Sequence, residues 1–231
     1  MRVDNEEKRA EEKRWPQAEE FLEWLTEKAL GGVPGLLPGD IRLSSARELA
    51  EEYLNDGSYQ DPDERVEALI RFESAKSFAA GFVCGLGGIL TIPIALPGAL
   101  AASWIIQARM AAAIARIYGH DLDEDRVKTV VLLSLLGRPA LDVLRQAGVT
   151  IGKKLSTQLV NQIPGRFLIE INKRVGFRLL TKAGEKGVVN IIKVVPVVGG
   201  GIGGALDAAT CRATGEVARS LFRDEALVRG P

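Results

Sequence analysis

Among side chains able to transfer protons, attack carbonyls or bind metals, this chain offers few that are grouped. His120 is the only histidine and lies in a Gly119-His120-Asp121 turn, where it is expected to face solvent. The two cysteines, Cys84 and Cys211, stand among Gly, Ala and Val with no C-x-x-C spacing, so both read as small buried hydrophobes and neither disulfides nor zinc are expected. No G-x-S-x-G elbow, Walker A loop, H-E-x-x-H pair or Asp-rich calcium loop occurs. Gly199, Gly201 and Gly204 do match G-x-G-x-x-G, in which a helix N-terminus opening after a strand receives a pyrophosphate. The context is wrong: Pro196 would interrupt the strand, and the 27 residues after Gly204 are too few for the rest of a doubly wound sheet. Asp207 is the nearest candidate for a functional buried acid, with an ordinary ion pair to a residue such as Arg212 as the simpler account. No catalytic residue, metal site or cofactor is assigned, and the protein is read as non-catalytic.

The strongest signal is an absence of charge. From Ser77 to Ala108, 32 residues contain no Asp, Glu, Lys, Arg or His, against the roughly 20 needed for a spanning helix. Pro93 and Pro97 divide the run, and each half, at about 14 apolar residues and 1.5 Å per residue, reaches only about 21 Å. Two half-depth helices in a hairpin fit better than a span across a core of about 30 Å. Gly81-x-x-x-Gly85 and Cys84-x-x-x-Gly88 place small residues one turn apart, which lets helix backbones approach closely. Gly81, Gly85, Gly88, Pro93, Pro97 and Trp104 are therefore the candidate membrane-insertion residues. A central hairpin buried in a soluble bundle has the same composition, and both readings stay open. A second apolar stretch, Val188 to Leu206, echoes the first in its Pro196 and clustered glycines. Gly199-x-x-x-Gly203 and Gly200-x-x-x-Gly204 are read as helix-contact positions.

The elements that would position these segments are helical. Apolar residues make up 46% of the chain, charged residues 26% and aromatics 6%, so small side chains do much of the packing in an ordinary globular core. The charged opening up to Arg14 is a frayed arm or a solvated helix extension. A helix follows with Pro16 near its first turn and Ala18, Phe21, Leu22, Leu25 and Ala29 at helical spacing, closed by Gly31-Gly32. A Pro/Gly-punctuated loop, Val33 to Asp40, leads to Ser45-x-x-Glu48, a capping box that opens a short helix through Tyr53 and Leu54. Asp61-Pro62-Asp63-Glu64 repeats that logic, with Asp61 as N-cap and Pro62 in the first helical position. After the apolar run, the helix through Met110, Ile114 and Ile117 stops at Tyr118-Gly119, and the next is expected from Asp121 with Val127, Val130, Val131 and Ser134 buried. The expected fold is all-α, a helical bundle around Gly/Pro-rich apolar helical hairpins. Residues 1–60 form a charged arm and a short capped helix, and 61–231 the main helical domain.

Ile114-Ala115-Arg116-Ile117-Tyr118-Gly119, followed by an acidic cap and an apolar helix, resembles the EcsC protein family. With the Gly/Pro-rich hairpin before it and Pro196-x-x-Gly199 after it, the resemblance runs from about Leu69 to Phe222. It implies a helical, membrane-associated accessory role, in a family named after a protein encoded beside an ABC transporter, and carries over no catalytic residues.

Charge distribution adds a candidate surface. Net charge is zero, but Arg138 to Lys193 holds 11 basic and 3 acidic residues, a surplus of 8 that the rest of the chain offsets. Within it Phe167, Leu168, Ile171, Val175 and Leu179 share one helical face. Arg166, Lys173, Arg174 and Arg178, with Lys153 and Lys154 upstream, are candidate contacts to anionic lipid. A core helix with a solvated charged face is the plainer account. Expected partners are an anionic membrane surface or a membrane protein, with a homo-oligomer open. Nucleic acid is not expected, because no aromatic stacking platform accompanies the charge. The opening residues lack a secretory signal, so the expected location is cytoplasmic, peripheral to or partly inserted in the inner membrane of a bacterial-type cell. The function expected is that of an amphitropic helical protein assisting a transporter or acting on the bilayer; the alternative is a soluble interaction or small apolar-ligand module.

Overall fold

The computed structural model describes residues 2–37, 41–86, 92–149, 163–189 and 196–223. Within them the fold is all-α apart from one two-stranded ribbon. The helices are α1 (Arg2–Gly31), α2 (Ala46–Leu54), α3 (Pro62–Leu86), α4 (Ile92–Ile117), α5 (Asp125–Ser134), α6 (Ala140–Gln146), α7 (Gly165–Val189) and α8 (Pro196–Phe222). The ribbon pairs β1 (Val33–Leu37) antiparallel with β2 (Ile41–Leu43).

Local chemistry sets several boundaries as expected. Gly32 at φ +77° and Gly119 at φ +84° end α1 and α4 in the left-handed conformation that a Cβ disfavours. Ahead of α2 the Ser45 hydroxyl accepts the Glu48 N–H at 3.1 Å and the Glu48 carboxylate accepts the Ser45 N–H at 2.7 Å. The Asp61 carboxylate caps α3 by accepting the Glu64 N–H at 2.9 Å.

Other expectations need correction. Pro16 lies inside α1 rather than near its first turn, because the helix begins at Arg2; of the two readings of the opening charged stretch, the helix extension is the one described. Part of the Val33–Asp40 loop is strand β1, which finds its partner across a short connection. Asp121 does not cap α5: its carboxylate accepts the Asp123 N–H at 3.0 Å in a local turn, and the helix opens at Asp125. Within the uncharged run α3 is described to Leu86 and α4 from Ile92, so the two prolines do not divide it: both lie inside α4. Pro93 is the second residue of α4, where a missing N–H costs no intrahelical bond, and Pro97 lies one turn on.

One hydrophobic core joins the elements and takes residues from both sides of position 60: Leu22, Leu25 and Leu49 pack in the same cluster as Leu69, Ile114 and Val175. Helix α4 is central, with Ala108 and Met110 to Ala115 fully buried. Small residues let α1, α2, α3, α5 and α8 all reach it. The most extensive contact of α3 is with α8 rather than with α4, its neighbour in sequence.

Candidate functional site

The described uncharged residues form the C-terminal part of α3, the first two-thirds of α4 and the N-terminal part of α8, and a few buried polar side chains join these helices within the hydrophobic core. Arg109, the first charge after the run, is 2% exposed. Its Nη2 donates to Oε2 of fully buried Glu73 at 2.6 Å, and its Nη1 to the Ser44 carbonyl and hydroxyl oxygens at 3.2 and 2.9 Å. Lys76 adds a 2.9 Å ion pair to Glu73 from the surface. One buried cation thus ties α4 to α3 and to the residue preceding the α2 capping box, and loss of Glu73 would leave Arg109 buried and uncompensated, whereas loss of Arg109 would leave Glu73 only its surface partner Lys76. A second buried contact joins α4 to α8, where the Thr214 hydroxyl donates to Gln107 Oε1 at 2.8 Å.

Helix α8 approaches α3 closely because glycines allow it. A Cβ at Gly204 would lie 2.7 Å from the Phe78 carbonyl oxygen, and one at Gly215 would lie 2.7 Å from Ile70 Cγ1. Gly176 does the same for α7 against α1, where a Cβ would stand 2.9 Å from that of Ala18. At the far end of the α3–α8 pair, Tyr118 donates to Asp63 Oδ1 at 2.6 Å, Arg223 also pairs with Asp63, and Arg219 reaches Glu67 at 2.8 Å. Burial, reinforced by the Asp63 contact, raises the Tyr118 phenol above its ordinary range and keeps it a neutral donor. The Tyr118 of the Ile114–Gly119 motif thus has a definite task, clasping the start of α3 to the end of α4.

The proposed insertion residues are distributed as follows. Gly81 and Gly85 lie on α3 and Pro93 and Pro97 on α4; Gly88 falls outside the described residues. Trp104 is 5% exposed in the protein core, edge-on to Phe21 of α1 at 5.4 Å between ring centroids. Of the glycines proposed for helix contact, Gly204 makes one, Gly203 is half-buried, and Gly199 and Gly200 are in the first turn and a half of α8. The G-x-G-x-x-G residues are interior to that helix rather than in a strand-to-helix turn.

Lys153 and Lys154 lie outside the described residues. Helix α7 buries Ile171, Val175 and Leu179 completely. Arg166 is exposed with its guanidinium 4.9 Å from the Phe167 ring centroid, Lys173 and Arg178 are half-buried, and Arg174 is held by Glu170 at 2.7 Å and by Gln146.

His120 is half-buried rather than solvent-facing: its Nε2 is 2.9 Å from the Phe222 carbonyl oxygen, which can only accept, so that nitrogen carries the proton. Burial pushes the Cys211 thiol up to about 11, which makes it a poor nucleophile at neutral pH. Asp207 is half-buried, and Arg212 pairs with Glu67 and Glu216. Among the described residues no three His, Cys, Asp or Glu side chains are grouped to hold a metal ion. An apolar cavity lined by Leu30, Ala108, Leu122 and Val131 has a volume of about 10 Å³, room for no more than a water molecule.

Sequence reasoning missed the Glu73–Arg109 pair and Gly215. Arg109 sits four residues after Ile105 and four before Ala113 on an apolar face, a placement that signals a buried cation needing a partner. Gly215 lies three helical turns after Gly204. Also missed are the exposed apolar side chains Phe72 and Phe78 on α3 and Leu206 on α8, at 56, 42 and 54% exposure.

The chain belongs to the EcsC protein family, whose model matches residues 19–225. The match takes in the C-terminal part of α1, from residue 19, and all of α2, beyond the Leu69–Phe222 stretch that carries the recognisable motifs. No curated protein and no solved structure matches the chain. No helix among the described residues is long and apolar enough to cross a membrane.

Proposed function

We propose that this protein is a non-catalytic, amphitropic membrane protein whose uncharged helix ends enter one side of a bilayer, assisting a membrane partner or altering the lipid itself. The observation that carries the reading is the continuity between the uncharged run and the exposed side chains beside it. Phe72 lies just before a stretch without one charge and Phe78 just inside it, and both remain on the surface. Partial insertion suits helices that are individually unable to span. The basic residues of α7 supply attraction to anionic headgroups, with Arg166 the most exposed of them.

A soluble helical interaction module is the second reading, favoured by the complete burial of Ala108 and Met110 to Ala115, which makes the far end of α4 protein core. Ile94→Arg separates the two. An arginine in a spanning or inserting helix costs about 2.5–3.5 kcal/mol, so a variant that keeps its helical spectrum but no longer floats with vesicles supports insertion. A variant that unfolds in buffer places Ile94 in a water-free protein core, and wild-type protein that never binds vesicles removes the membrane reading.

A further inference from the structure

The uncharged ends of two segments separated by the whole middle of the sequence, Ser77–Leu86 on α3 and Pro196–Leu206 on α8, are brought side by side. Helices α3 and α8 run antiparallel: Gly204 meets Phe78, Gly215 meets Ile70, and Arg219 meets Glu67. Beyond the Gly204–Phe78 contact α8 continues for eight residues to Pro196 and α3 for eight to Leu86. Both therefore advance about 12 Å in the same direction at 1.5 Å per residue. Neither length carries a charge. At its base lie exposed Phe78 and Leu206, then Phe72 with the Lys76 ammonium 4.6 Å from its ring centroid, and exposed Arg71. The acids Asp61, Asp63, Glu64 and Glu67 stand at the opposite end of α3.

This order, an uncharged end, then exposed Phe78 and Leu206 beside half-buried Asp207, then Phe72 with the cations Lys76 and Arg71, and farthest off acids already paired with Arg219 and Arg223, suits an anionic bilayer met end-on, in which hydrocarbon lies beneath a negatively charged headgroup layer. We infer that α3 and α8 enter the bilayer together as one glycine-joined pair, with Phe78 and Leu206 at the acyl boundary and Phe72, Lys76 and Arg71 among the headgroups. The depth is that of a single leaflet, since about 12 Å falls short of half a hydrocarbon core of about 30 Å. The second apolar stretch is thus half of the inserting surface, where an α3–α4 hairpin entering alone would leave it in water. This rests on the membrane reading above and adds which segments enter and how far.

An environment-sensitive fluorescent amino acid placed in the full chain at Phe78, at Leu206 or, as a control near the acidic end, at Leu54 tests the pair. Each substituted protein is first checked for a wild-type helical spectrum. It is then mixed with phosphatidylcholine–phosphatidylglycerol vesicles carrying quenchers at defined acyl depths. Blue shift and shallow-quencher contact at both Phe78 and Leu206, with Leu54 unchanged, is the expected result. A response at Phe78 without one at Leu206 overturns the joint entry of α3 and α8 while leaving the membrane reading intact. Equal responses at all three positions also overturn it. Absence of vesicle binding by any of the proteins, wild type included, defeats the membrane reading and this inference with it.

Discussion

Gly204 and Gly201 lie three residues apart on α8, and alanine should act on them with opposite sign. In an exposed helix interior, Gly→Ala gains about 1 kcal/mol through backbone entropy. At Gly201 nothing lies within 4 Å of the added Cβ, so Gly201→Ala should stabilise by up to about that amount. At Gly204 the methyl would be 2.7 Å from the Phe78 carbonyl oxygen, well inside van der Waals contact. The obstacle is helix backbone and cannot rotate aside, so the helices must separate. Overpacking of that kind costs about 1–3 kcal/mol, and relief here would also disturb the Gly215–Ile70 contact, which points to the upper part of the range. Net destabilisation of about 1–2 kcal/mol follows for Gly204→Ala, a gap of about 2–3 kcal/mol between the variants. Urea unfolding followed by far-ultraviolet circular dichroism measures it, and in a chain of this size each kcal/mol moves the melting temperature by about 2–4 °C. A Gly204→Ala protein as stable as wild type, or a gap of the opposite sign, would refute the close α3–α8 approach on which the shared apolar end depends.

Three further outcomes are expected. Glu73→Gln alone should lose about 3–5 kcal/mol because it leaves Arg109 as an uncompensated buried charge, Arg109→Met should lose less because Lys76 still pairs with Glu73, and the double Glu73→Leu, Arg109→Met protein should recover most of the Glu73→Gln loss in the same urea experiment. Cys211, Tyr53 and Tyr118 should leave stability unaffected below about pH 9 and lower it as pH rises from there through about 12. Burial raises Cys211 to about 11 and Tyr53 to about 12, and raises Tyr118 further, so the unfolded chain releases these protons first; a melting temperature that climbs in alkali would contradict those environments. Vesicle binding should weaken steeply as salt rises past the point where the Debye length is about 10 Å, and equal binding to neutral and anionic vesicles would remove the role given to Arg166, Arg71 and their neighbours.

The sequence was most legible where one residue type has one physical solution. Ser45 with Glu48, Asp61 before Pro62, and Gly32 and Gly119 at helix ends each satisfy a backbone requirement locally, and the structure uses all of them. Helical period likewise marked Ile171, Val175 and Leu179 as one buried face. Long-range pairing was not legible. Nothing near Ser77 or Pro196 tells α3 to pack along α8 in preference to α4, because glycine contacts are specified only when both helices are present. The β1–β2 ribbon was hidden for a related reason: Val33-Pro34-Gly35 has loop composition, and it becomes strand by acquiring a partner in Ile41–Leu43. Asp121 shows a competition between two local solutions, in which its carboxylate closes a turn on Asp123 and leaves the helix to open without a side-chain cap. Trp104 has the composition of a membrane-boundary residue, yet packing against Phe21 places it in the core.

The membrane reading is tested most directly by separating lysed cells that express the full chain into membrane and soluble fractions. Partial insertion predicts that a large part of the protein sediments with membranes, that high salt releases only some of it, and that detergent releases the remainder. Protein found wholly in the soluble fraction, monodisperse without detergent and unmoved by added anionic vesicles, would contradict the account.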